Sequence, residues 1–204
     1  MYKLFHQYAG KVSAIIIVLL FSISLWQLAA AGWIQGKAII AQQLLNSSWN
    51  ATLLDTVKSA QKNAAHKPWP WADTWPVAKL IVPQQQIEQI ILAGDSGSSL
   101  AFGPGYSLSG AAPNTPGTTV ISGHRDTHFE FMADVLIDDI IFLQTPGRTV
   151  RYQVYGLQVV DSKTYNVSVD IDEHTLVLAT CYPFDAITPR GSLRYLIFAN
   201  KSPV

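Results

Sequence analysis

The chain has 204 residues, with 14 Lys+Arg balanced by 14 Asp+Glu, 49% hydrophobic residues and one cysteine. An aromatic content of 11% excludes global disorder, and a single thiol excludes both an intramolecular disulfide framework and a cysteine-built structural zinc site. Zero net charge with no Lys/Arg cluster argues against nucleic acid, whose binding rests largely on phosphate neutralisation.

No charged residue occurs from Val12 to Gly36, and the centre of the run reads Ala14-Ile15-Ile16-Ile17-Val18-Leu19-Leu20-Phe21. A helix of that length is about 37 Å long, enough to cross about 30 Å of hydrocarbon with some tilt. Trp26 and Trp33 fall near its far end, where an indole suits the headgroup region. Lys3 and Lys11 precede it, which predicts a cytoplasmic N-terminus over 1–11, a transmembrane anchor over 12–36 and an extracytoplasmic body. A cleaved signal peptide is the rival, since Ala29-Ala30-Ala31-Gly32 offers small residues, but its apolar stretch normally spans only 7–15 residues.

Between residues 38 and 66, Ile39, Ile40, Leu44, Leu45, Trp49, Leu53, Leu54 and Val57 recur at helical spacing. The segment 37–72 therefore reads as a helical stalk or a helix lying on the body, stopped by Pro68 and Pro70. Beyond it the period shortens to that of strands. These are expected at Val77–Val82, Ile87–Leu92, Thr118–Ser122, Ile140–Gln144, Thr149–Val160, Thr175–Thr180 and Arg194–Ala199, with a short helix at Phe129–Leu136 and a long loop over Gly103–Gly117. Seven or eight short strands with little helix predict a mainly β fold, a closed or nearly closed antiparallel-rich barrel over residues 73–204.

Three motifs read as turns or loops. Gly94-Asp95-Ser96-Gly97 imitates a serine-protease nucleophile loop, but only His6 and His66 precede it and the next residue is Ser98. His124 and His128 have the spacing of a helical zinc motif, yet Arg125-Asp126-Thr127 between them lacks the glutamate base. Gly103-Pro104-Gly105 lacks the third glycine of a dinucleotide loop. No metal or cofactor is expected.

A sharper constellation remains. Val120-Ile121-Ser122-Gly123-His124 sets an imidazole just past an apolar strand, Leu178-Ala179-Thr180-Cys181 sets the lone thiol at the end of another, and Arg194 opens the next. Together they supply a nucleophile, an acid/base and an anion stabiliser, each at a strand terminus. An unpaired thiol outside the cytoplasm is a liability unless buried, bonded or chemically employed.

These segments resemble the sortases, membrane-anchored cysteine transpeptidases. Thr175-Leu176 with Leu178-Ala179-Thr180-Cys181 resembles the family's Thr-Leu-x-Thr-Cys strand, and Ser122-Gly123-His124-Arg125 resembles its Gly-His segment. The resemblance covers about residues 77–200 and implies a sortase-like catalytic barrel over 73–204. The Thr-Cys-Tyr-Pro-Phe-Asp and Gly-His-Arg-Asp variants look most like the Gram-negative-type branch, which implies an inner-membrane, periplasm-facing enzyme. It further implies Cys181, His124 and Arg194 as catalytic residues, with Arg190 as the competing arginine. Thr180 is expected near the oxyanion, and Asp126 either orients His124 or caps its turn. The expected partners are an exported protein bearing an LPxTG-like C-terminal signal and an amine acceptor at the cell envelope. An L,D-transpeptidase-like cell-wall enzyme and a non-enzymatic anchored β-domain are the alternatives.

Overall fold

The computed structural model describes residues 2–58, 65–168, 174–186 and 191–203, with side chains in the first segment from Ile15 to Thr56. Helix α1 (Tyr2–Lys58) is continuous, so the expected anchor and the first part of the segment after it share one helix; residues 59–64 of the expected helical stretch lie outside the described residues. At the ideal rise its 57 residues extend about 85 Å, nearly three times the roughly 30 Å of a hydrocarbon core. Its first part is long and apolar enough to cross a membrane, with Ile15 to Leu20, Phe21 and Trp26 all more than half or about half exposed.

Residues 1–42 form one compact unit and residues 43–204 a second. Within the second, Leu45 and Trp49 from the last turns of α1 are buried against Ile90 and Leu92. Eight strands follow: β1 (Pro76–Val82), β2 (Ile87–Ala93), β3 (Gly105–Tyr106), β4 (Gly117–Ser122), β5 (Ile140–Thr145), β6 (Arg148–Asp161), β7 (His174–Cys181) and β8 (Leu193–Lys201). They close a barrel in the order β1-β2-β3-β4-β7-β8-β6-β5, with β5 pairing back onto β1.

Alternation explains the strands. In β1, Pro76, Ala78, Leu80 and Val82 are buried while Val77, Lys79 and Ile81 are only partly so, as a period of two requires. The barrel interior collects Leu80, Ile91, Ile121, Ile141, Leu143, Leu176, Leu178 and Ile197, all fully buried. Each such aliphatic side chain contributes about 1.5–3 kcal/mol relative to exposure.

Three elements differ from the sequence expectation. Strand β3 lies inside the segment expected as a loop; it is two residues long and carries no alternation to read. Gly105 must be glycine there, because a Cβ would stand 2.1 Å from the Gly94 carbonyl oxygen. The helix expected at Phe129–Leu136 is a 3-10 turn over Glu130–Asp134, and the protease-like Ser96 instead caps a four-residue helix, α2 (Gly97–Leu100). The rest of the long loop is pinned by buried Asn114, in the left-handed region at φ 62°. Its Nδ2 donates to the Leu143 carbonyl at 2.8 Å, and the Tyr152 hydroxyl, its pKa raised to about 12 by burial, donates to its Oδ1 at 3.3 Å.

Candidate active site

The topology around β7 decides where the chemistry can lie. Strand β4 pairs with β7 in parallel, so both chains leave the sheet at the same end of the barrel. Strand β8 pairs with β7 antiparallel, so its first residues begin at that same end. The termini carrying His124, Cys181 and Arg194 are thereby drawn to one rim, although 57 residues separate His124 from Cys181 in sequence. Around that rim a cleft of about 340 Å³ is bordered by His124, Cys181 and Arg194.

Cys181 and Arg194 are direct partners across β7 and β8. Residues opposite one another in an antiparallel pair present side chains to the same face, with Cβ atoms about 5 Å apart. That face is the outer wall of the barrel. Counting back by twos from Cys181 gives Ala179 and Val177, and these pack with Val160 and Leu196 in a cluster outside the main core. Tyr165 and Val167, from the segment after β6, pack on the same cluster and also line the cleft, so the cleft has an apolar floor. Cys181 is half-buried and free. The Arg194 Nη1 donates to the Gly191 carbonyl at 2.8 Å and the Leu193 carbonyl at 2.9 Å. Of the five guanidinium hydrogens, Nε and Nη2 hold three outside those two bonds.

His124 is exposed at the cleft edge on a turn fixed from several directions. The Gly123 N–H donates to the Ala179 carbonyl at 3.1 Å, and the Phe129 N–H donates to the His124 carbonyl at 2.9 Å. Gly123 is required by packing, since a Cβ would meet the ring of buried Phe129 at 2.7–2.9 Å. His128, in the same turn, is held below the ordinary histidine pKa by burial and secondarily by His124. Among the described residues no group of three or more His, Cys, Asp or Glu side chains is arranged to hold a metal ion.

The two lesser expectations land differently. Thr180 borders the cleft but is buried, one residue from Cys181 and therefore on the opposite face of β7. Its hydroxyl donates to the Gly123 carbonyl at 2.7 Å, so its proton is committed to the histidine turn. Asp126 is exposed in that turn and is not part of the cleft lining. Arg190 lies outside the described residues. Sequence reasoning passed over Asp95 and Leu100, which also line the cleft, and over Arg125. Arg125 is buried and donates to the Pro183 carbonyl at 2.8 Å and the Ala186 carbonyl at 2.6 Å. The Gly-His-Arg run held that signal, but nothing in it named the acceptors.

Comparison with known proteins identifies the family. The sortase domain family model matches residues 80–202, a span that includes His124, Cys181 and Arg194. Sortase D of Bacillus subtilis (strain 168) is 28% identical over 123 residues, 60% of this chain and 62% of that protein. The chain thus spans less than two thirds of that curated relative's length. Among solved structures, sortase A from Corynebacterium diphtheriae is 26% identical with a TM-score of 0.58, covering 66% of this chain and 64% of that one. A Clostridium perfringens sortase D5 transpeptidase has a TM-score of 0.63 at 17% identity, covering 80% of this chain and 99% of that one, which bears on fold alone. The Bacillus subtilis and Corynebacterium diphtheriae relatives are Gram-positive sortases and lend no support to the expected Gram-negative-type branch. The chain belongs to the sortase family.

Proposed function

We propose that this sortase-type transpeptidase cleaves an LPxTG-like sorting signal through a thioacyl intermediate on Cys181 and passes the acyl group to an amine. The observation that carries the reading is the direct pairing of Cys181 with Arg194 on the wall of a cleft that His124 also borders.

The Cys181 thiolate adds to the scissile carbonyl of the signal, whose extended chain lies on the apolar floor of Ala179, Val160 and Leu196. Negative charge collects on the carbonyl oxygen, where the Nε and Nη2 hydrogens of Arg194 stabilise it. The C–N bond breaks as His124, protonated, gives its proton to the departing amine, leaving a thioester and a neutral imidazole. The incoming amine then attacks the thioester, His124 takes its proton, and collapse of the second tetrahedral species returns the sulfur as thiolate. Thr180 acts indirectly, holding the Gly123 carbonyl and with it the turn that carries His124. Asp126 has no substrate role in this scheme. Residues 12–36 anchor the enzyme in the cytoplasmic membrane with residues 1–11 inside and the barrel outside, where exported clients and envelope amines meet. No observation favours the L,D-transpeptidase-like or non-enzymatic alternatives.

The test is to incubate the full chain in detergent micelles with a panel of LPxTG-like peptides, with and without an amine acceptor, and to trap the acyl-enzyme by intact mass. A single mass addition on Cys181, and ligated product only when amine is present, are expected. No adduct and no cleavage across the panel would overturn the reading.

The arginine assignment has its own test. Arg194→Lys is expected to lower kcat about 10²-fold, because an ammonium lacks the planar fork and removing one preorganised oxyanion donor costs about that much. Arg190→Ala is expected to stay near wild type. Steady-state peptide cleavage by the two variants decides, and the reverse order would transfer the role to Arg190.

A further inference from the structure

The turn carrying His124 is tied on both sides to the element carrying Cys181. On the upstream side, Gly123 donates its N–H to Ala179 and receives the Thr180 hydroxyl on its carbonyl, both on the cysteine strand. On the downstream side, the two terminal nitrogens of Arg125 reach the carbonyls of Pro183 and Ala186, in the loop that leaves Cys181. The residues so joined are 58 and 61 positions apart in sequence. At 9% exposure Arg125 has given up much of its hydration, a cost that hydrogen bonds to fixed acceptors must offset. Its planar fork suits two carbonyls three residues apart in one turn, and an ammonium, a point charge, does not.

We propose that Arg125 is a positioning residue, a clamp that sets the imidazole of His124 against the sulfur of Cys181 by locking the histidine turn to the 183–186 loop. It touches neither substrate nor reacting atoms. The upstream ties fix where the turn begins, and Arg125 fixes where it goes next. Without it the backbone just past His124 loses its hold on the cysteine loop, while the β4–β7 ladder is untouched. This inference rests on the transpeptidase reading for its kinetic consequence but not for its geometry.

The experiment uses the full chain in detergent micelles, comparing wild type, Arg125→Met and Arg125→Lys by peptide cleavage and by the ring ¹³Cε1 resonances of the histidines. A misplacement of about 1 Å costs on the order of 10²-fold in rate. Arg125→Met is expected to lower kcat by about that factor with KM within about threefold. It should also move or broaden the His124 resonance while leaving His66, hydrogen-bonded to Asp55 at 2.7 Å, in place. Arg125→Lys, keeping the charge and one of these bonds, should hold between about a tenth and a third of wild-type kcat, with the His124 resonance still displaced. An Arg125→Met chain with native His66, an unmoved His124 resonance and wild-type kcat would overturn the clamp. Should Arg125→Met fail to fold, Arg125→Lys decides alone: kcat within about twofold of wild type and an unmoved His124 resonance would equally overturn it. If wild type cleaves no sorting peptide, the transpeptidase reading falls, and the His124 resonance still decides the clamp.

Discussion

Cys181→Ala is expected to abolish both peptide cleavage and acyl-enzyme formation, a loss on the order of 10⁴–10⁶ in kcat, the range seen when a covalent nucleophile is removed. The substitution deletes one sulfur from the last residue of β7 and leaves every backbone pairing of that strand in place, including the Tyr182 N–H bond to the Leu193 carbonyl. Because the thiol is half-buried and lies at the strand tip rather than in the barrel core, no large cavity opens, and thermal stability should change little. The chain has no second cysteine to substitute for it. Chromatography of the peptide products and intact mass of the protein measure the two losses independently. Cleavage within tenfold of wild type would remove Cys181 from the chemistry, and with it the thioacyl route.

How much of this was legible in the sequence depended on whether a property is written locally. The alternation of Ala78, Leu80 and Val82 announces a half-buried strand, and β1 has the expected bounds within one residue. The termini at Ser122, Cys181 and Arg194 were legible for the same reason, since each follows or opens an apolar run. What the runs do not contain is their pairing. That β4 lies parallel to β7 while β8 lies antiparallel is a long-range fact, and it alone brings three tips to one rim. Strand β3 was missed because two residues opening on Gly105 have no period, and it forms only where Leu92 and Ser122 offer edges on both sides. The face of Thr180 was recoverable in advance, because neighbours in a strand point to opposite sides and Cys181 had already been assigned to the cleft. The Arg125 bonds were not, because both acceptors are main-chain carbonyls of a loop whose path no side chain specifies.

His124→Ala is expected to be nearly as damaging as loss of the thiol with an ordinary peptide and far less so with an activated one. An amide nitrogen must be protonated before it can leave, and a positioned general acid contributes about 10²–10⁴-fold to such a step. His124 is the exposed imidazole at the cleft edge, whereas its turn-mate His128 is partly buried, kept below the usual histidine range and hydrogen-bonded through its carbonyl to Gln89. His128 is therefore poorly suited to substitute for it. A depsipeptide that replaces the scissile amide with an ester of an acidic phenol has a leaving group that departs as an anion and needs no proton. The His124→Ala chain should lose about 10³–10⁴-fold in kcat/KM on the amide and on the order of tenfold on the ester, read in parallel assays of product release. Deacylation tells the second half: with the ester, the variant should accumulate thioester on Cys181, because the incoming amine now lacks the base that removes its proton. Equal losses on amide and ester would mean that His124 supports the site without transferring a proton.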